Sequence, residues 1–392
     1  MKTLAGALAL SIVLVSCTRV PREGHTSAPT GRDPWAAFAE GWTELPPPPE
    51  IRDGAALAWA DEELIYWSGI PTGREEPVTD GFAFDPAMRT WTRLPPAPGP
   101  GRYSPRAVWT GSEVLFLAGT HTGALDGVAF DPSDRTWRRI KAWPAQRRIA
   151  TDVWTGEEVI FWGGGSPGGP SNRRGLAYDP ERDRWHEIAP APVGLNLASA
   201  SWTGKEVFVF GSLLDHGNHA DTRTAVGAIY DPGKDAWREM PPSRLSPQAT
   251  SAGWVGDRLV AWDYEVHAQE FDPTTRKWSR PVKMPLDFSE CYPDSVVLGG
   301  EMFAWFCGQA AEYTAVDGTW RAIHGGPMEE KIEANGTSYE LCRFADLATA
   351  DRVIALAMEG ITVEHADKPG HGVPCYGCPG SPHSFWVYRP AA

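Results

Sequence analysis

One phrase constrains this chain more than any other: Asp-Pro, with a Trp six residues after the Asp. It occurs as Asp85-Pro86 with Trp91, Asp131-Pro132 with Trp137, Asp179-Pro180 with Trp185, Asp231-Pro232 with Trp237 and Asp272-Pro273 with Trp278. The Asp residues lie 46, 48, 52 and 41 positions apart. In the phrase a strand ends, Asp accepts a hydrogen bond from the turn backbone, Pro presets φ, and the next strand starts at the Trp. A second phrase precedes it in Trp109-Thr110-Gly111, Trp154-Thr155-Gly156 and Trp202-Thr203-Gly204, where Gly supplies the positive φ of another short hairpin. Two hairpins per period make four strands, and a period of this length assigns each repeat to one small sheet of a β-propeller.

The ends of the repeat array complete one another. Gly41-Trp42-Thr43-Glu44-Leu45-Pro46-Pro47 copies the outermost strand Trp91-Thr92-Arg93-Leu94-Pro95-Pro96 without three strands before it. Phe385-Trp386-Val387-Tyr388-Arg389 copies a third strand with no fourth after it. An N-terminal strand that completes the last blade removes a sheet edge and ties the ring. First strands are expected at 51–59, 101–109, 146–154, 194–202, 246–254, 289–297 and 341–348, which makes seven blades within residues 42–390. Val316-Asp317-Gly318-Thr319-Trp320 replaces the longer turn in a degenerate sixth blade.

Phe161-Trp162-Gly163-Gly164-Gly165, followed by Leu176-Ala177-Tyr178-Asp179-Pro180 and Trp185, resembles a Kelch repeat. The resemblance is strong in the first five blades and implies a seven-bladed Kelch-type propeller, akin to the central propeller of galactose oxidases. It departs from the double Gly at Phe116-Leu117-Ala118-Gly119 and Ala261-Trp262-Asp263. At the N-terminus, Lys2 and the apolar run from Leu4 to Val15 have the length of an export signal. The junction Leu14-Val15-Ser16-Cys17 resembles a bacterial lipobox, which implies a signal over residues 1–17, a lipidated Cys17 and an extracytoplasmic protein held in the cell envelope by its acyl chains. Residues 18–41, with Pro21, Gly24, Ser27, Pro29, Gly31 and Pro34, read as a flexible tether.

Topology sorts the loops of such a ring. The first-to-second and third-to-fourth turns share one face and are short. Second-to-third loops and blade connections share the other face and vary in length: 69–80, 119–126, 163–175, 211–225 and 360–384. Variable loops on one face of a repeat array mark the binding side. Six positions before each first-strand Trp, or before Val297 and Ala348 where Trp is missing, lie Asp53, Tyr103, Arg148, Asn196, Gln248, Cys291 and Cys342, preceded by Arg52, Arg102 and Arg147 in three blades. The polar members are the candidate binding residues of a pore mouth.

The same face gathers most of the histidines. Asp215, His216, His219 and Asp221 carry ligand types for copper or zinc at short spacing, although no cofactor is expected. Cys291, Cys307, Cys342, Cys375 and Cys378 are disulfide candidates in an exported chain, with Cys291 opposite Cys307 and Cys342 within reach of Cys375 or Cys378. Thirty-six Lys and Arg against 50 Asp and Glu give a net charge of −14, which argues against a nucleic-acid partner. No nucleophile elbow, phosphate loop or HExxH helix is present. The expectation is a monomeric binding or scaffold module for a protein or glycan. The alternative is a carbohydrate-active enzyme, similar to copper oxidases or sugar mutarotases, working at the pore mouth.

Overall fold

A computed structural model describes residues 38–119, 125–143, 149–165, 172–195, 197–212, 225–247, 250–287, 294–306, 309–325, 331–334, 337–340, 344–350, 353–359 and 383–389. The described residues form an all-β β-propeller with no helix. In the first sheet Ala56–Ala60, Glu63–Trp67, Gly81–Asp85 and Thr90–Arg93 run from the axis outward, each antiparallel to the last. Five more sheets are four-stranded in the same way, with inner strands Arg106–Trp109, Thr151–Trp154, Leu197–Trp202, Asp294–Leu298 and Phe344–Ala350. One sheet departs from the uniform four-stranded blades expected. Its inner strand is Thr250–Val255, and its outer edge is split between Lys277–Trp278 and Val282–Lys283, both paired with His267–Asp272. Phe271 faces Trp278 whereas Ala268 faces Val282, so one extra residue separates the two registers, as in a β-bulge.

The strand sequences follow from where each strand sits. Middle strands such as Val114–Leu117 and Val159–Trp162 are buried at every position because each face packs on a neighbouring sheet, which is why they read as unbroken apolar runs. Outer strands such as Thr136–Ile140 are partly wet and mixed in composition. Successive hydrophobic clusters lie between sheets rather than within them: Trp67 and Ile65 of the first pack with Phe116 and Phe130 of the second, and Trp162 of the third with Val209 of the fourth.

The repeated phrases are pinned locally and across blades. Asp85 Oδ1 accepts from the amides of Ala87 and Met88 at 2.8 and 3.0 Å, and Asp272 Oδ1 accepts from Thr274 and Thr275 at 2.8 and 3.2 Å. In the second phrase the Thr does more than the Gly reveals, since Thr155 Oγ1 accepts from the Glu158 amide at 3.0 Å while Gly156 takes φ 96°. The outer Trp indoles reach back one sheet. Trp91, Trp185, Trp237 and Trp278 donate Nε1 to the carbonyls of Pro46, Lys141, Ala189 and Pro241 at 2.6–2.8 Å. These Trp are therefore structural, as their repeat positions imply.

The last sheet is closed from the other end of the chain. Gly41–Leu45 pairs antiparallel with His383–Arg389, Gly41 opposite Arg389 and Leu45 opposite Phe385. Phe38, 1% exposed, packs into the cluster of Leu45, Tyr66 and Phe385, and Arg389 Nη1 donates to its carbonyl at 2.8 Å.

Two sequence expectations shift in register. Inner strands start three to five residues later than expected, so Asp53 and Tyr103, the described positions six before a reference Trp, precede the inner strands rather than lying on them. In the last sheet Ala350 pairs with Val353 as Ala60 pairs with Glu63, which makes Thr349, not Ala348, the equivalent of Trp59. The position six before it is then Arg343 rather than Cys342.

Candidate functional site

The entrance to the first two sheets is where the pore-mouth candidates are described. Gly54, at φ +62°, turns the chain from Arg52–Asp53, a short strand paired with Ile70–Pro71, into the inner strand. A Cβ on Gly54 would lie 2.6 Å from two ring carbons of Tyr103, so the position requires Gly twice over, for its φ and for the close approach. The Ser104 amide donates to the Gly54 carbonyl at 2.7 Å, which brings the entry loops of the two sheets together.

Of the four arginine candidates, the two described ones are engaged within the protein. Arg52 is 3% exposed: Nη2 donates to Glu50 Oε2 at 2.9 Å and Asp80 Oδ1 at 2.8 Å, and Nη1 to the Asp80 carbonyl at 2.7 Å. Its backbone is held by the Tyr66 hydroxyl, which accepts from the Arg52 amide and donates to its carbonyl, both at 2.9 Å. Arg102, 2% exposed, repeats the arrangement in the second sheet, with Asp126 at 2.9 Å and the Ala118 carbonyl at 2.5 Å. Both guanidinium groups brace the root of a long loop. A buried charge with its countercharge in place offers little to a ligand, so in this structure Arg52 and Arg102 act as braces.

Asp53 and Tyr103 are brought together. The Tyr103 hydroxyl donates across the sheet boundary to the Asp53 carboxylate, 3.2 and 3.3 Å from its two oxygens, and both residues are partly exposed. With its one hydrogen given to Asp53, the phenol leaves its own oxygen and the remaining carboxylate lone pairs to accept from a hydroxylated or cationic ligand. Arg147, Arg148, Asn196 and Gln248 lie outside the described residues, as do Asp215, His216, His219, Asp221, Cys17, Cys291, Cys307, Cys342, Cys375 and Cys378. Among the described residues no three His, Cys, Asp or Glu side chains gather to hold a metal.

Inside the mouth the inner strands carry a second polar ring, three positions before each reference Trp, that repeat alignment of the loops missed. It comprises Arg106, Thr151, Ser199, Ser251 and Asp294, is interrupted by Ala56 in the first sheet, and register places Asp346 at the equivalent position in the last. Three of these side chains reach the next sheet. Arg106 forms a buried ion pair with Asp152 and donates to the Ile149 carbonyl at 3.2 Å, Ser251 shares a 2.7 Å hydroxyl hydrogen bond with Ser295, and Ser199 accepts from the Ala252 amide at 3.1 Å. Asp294 differs. It accepts from the Ser295 amide at 2.8 Å, no cation among the described residues pairs with it, and burial pushes its carboxyl up to about 7. Its signal in sequence was a charge placed in an otherwise apolar strand, Asp294-Ser295-Val296-Val297.

No described helix is long and apolar enough to cross a membrane. Compared with known proteins, the chain matches no family model and no curated protein sequence.

Proposed function

We propose that this chain is a Kelch-type propeller lipoprotein of the bacterial cell envelope that binds a protein or glycan through its long-loop face. The single observation that carries the reading is the contrast between the two faces. Polar groups of the short-turn face are largely taken up by the protein itself, Asp85, Asp272 and Thr155 within their own turns and Asp183 and Asp235 by amides of the neighbouring sheet, which leaves little to recognise a ligand. The opposite face holds loops of unequal length, and there Asp53 and Tyr103 meet at the rim. The arginine braces support the reading because they keep loop roots rigid, and rigid roots lower the ordering cost of binding. Six regular four-stranded sheets are described, and we read the bulged sheet as a seventh blade, a reading the repeat period supports.

Asp53→Ala and Tyr103→Phe, screened against glycan arrays and cell-envelope extracts, test the binding site. Loss of a wild-type interaction in both variants, with thermal stability kept, supports the site; an interaction indifferent to both removes it. The anchor is tested by Cys17→Ser, which should move the protein from membrane to soluble fractions. A carbohydrate-active enzyme remains the second reading, favoured by the polar inner ring, in which no cation among the described residues pairs with Asp294. Turnover of a sugar lost in Asp294→Asn would establish it.

A further inference from the structure

The course of the first strand decides how an N-terminally anchored propeller faces its membrane. Within each sheet the inner strand runs from the long-loop face to the short-turn face, as Ala56–Ala60 does before the hairpin to Glu63–Trp67. The third strand runs the same way, and the outer strand returns. In the last sheet the outer strand is Gly41–Leu45, and Gly41 sits opposite Arg389, the end of the third strand, while Val353 starts the second strand at that same edge. Gly41 therefore lies at the short-turn face. Chain N-terminal to it is pinned there as far as Phe38, whose side chain is buried and whose carbonyl is held by Arg389.

An independent feature marks the same sector. Only three large hydrophobic side chains among the described residues stand exposed, and two of them cap turns of this face: Met88, 71% exposed in the turn 86–89, and Val316, fully exposed in the turn 315–318. These turns belong to the sheets on either side of the last one, since the inner strand Phe344–Ala350 adjoins both Ala56–Ala60 and Asp294–Leu298. Two apolar tips thus straddle the point where the chain leaves the ring. Acidic residues confine any lipid contact to the two tips, with Asp61, Glu62 and Asp317 inside this sector and Asp134 and Asp235 elsewhere on the face.

We infer that the short-turn face of this sector rests on the lipid surface, with Met88 and Val316 at the interface and the long-loop face turned outward. The inference depends on the lipoprotein reading above. Twenty residues separate Cys17 from Phe38. A flexible linker of that length would have an r.m.s. span of about 25 Å, and a five-residue strand spans about 17 Å, so on the tether reading the exit face would stay near the membrane without being forced into contact. Two partly inserted side chains then bias the orientation, each through the apolar area it removes from water. The arrangement leaves Asp53 and Tyr103 facing away from the bilayer, where a soluble or neighbouring partner reaches them.

Two measurements separate the anchor from the orientation. Full-length protein made in a bacterium is partitioned between detergent and aqueous phases beside Cys17→Ser. Wild type in the detergent phase and the variant in the aqueous phase uphold the anchor; wild type in the aqueous phase sinks the lipoprotein reading and the inference with it. For orientation, residues 18–392 with an N-terminal His tag are bound to vesicles of zwitterionic lipid doped with a nickel-chelating lipid. A dye is attached through an azide-bearing residue replacing Met88, Val316 or Glu75, the last exposed on a long loop. Lipids spin-labelled near the headgroup should quench the dye at 88 and 316 and spare it at 75. Equal quenching at all three sites, or quenching at 75 alone, overturns the orientation even when the anchor holds. Vesicle-bound protein with no quenching anywhere also overturns it, and assigns the apolar tips to a protein partner.

Discussion

The Arg106–Asp152 pair joins the second and third sheets at the inner ring, where the inner strands otherwise touch least, and its removal is the sharpest test of the packing described above. Both side chains are nearly sealed, 7% and 9% exposed. Arg106→Met keeps the aliphatic bulk and deletes the charge, which strands the Asp152 carboxylate and takes a donor from the Ile149 carbonyl. Breaking a buried pair from one side costs about 3–5 kcal/mol, because the remaining ion has lost its water and its partner together. Arg106→Met/Asp152→Leu removes both charges, and replacement of a buried pair by apolar groups is close to neutral or stabilising by about 1–4 kcal/mol. Urea unfolding of the residues 18–392 protein, followed by Trp fluorescence and far-UV circular dichroism, measures all three proteins. The single variant should be the least stable and the double variant should regain most of the loss. A loss below about 1 kcal/mol in the single variant would show that water reaches Asp152 and that the inner ring is open at this joint. A double variant as unstable as the single one would place the cost in side-chain shape rather than in stranded charge.

Other consequences are as concrete. Asp294 has its folded-state pKa raised from 3.8 to about 7, so its ionisation opposes folding: the penalty is absent below about pH 4, grows as pH rises toward 7 and is constant above. Asp294→Asn should therefore raise the thermal midpoint at pH 8 and leave it unchanged at pH 4, and equal effects at both values would refute the assignment. Trp185→Phe loses the 2.6 Å hydrogen bond to the Lys141 carbonyl together with part of the buried indole, which should cost about 1–3 kcal/mol in urea unfolding. Gly54→Ala forces a Cβ against the Tyr103 ring at a positive φ, and should lower stability by about 1–3 kcal/mol while displacing the phenol from Asp53. Calorimetry and ligand binding on that variant should move together, whereas Tyr103→Phe should affect binding alone.

The repeat phrases, read as a line of letters, determined most of the architecture. Turn chemistry is local: an Asp two or three residues from the amides it accepts, or a Gly where φ must be positive, acts the same way wherever the chain goes, so hairpins, period and closing strand were legible at once. The outer Trp were legible as structural for the same reason, although their acceptors lie 37 to 48 residues upstream. Only the tertiary structure decided which polar residues are occupied. Arg52 and Arg102 look like a ligand-facing pair in sequence because nothing local marks Asp80 or Asp126 as their partners, 28 and 24 positions away. The inner ring was hidden likewise, since Arg106 meets Asp152 across a blade boundary that no turn motif announces. Whether a charge is stranded or matched depends on neighbours brought in by ring closure, and this is a property of the packed blades rather than of any one repeat.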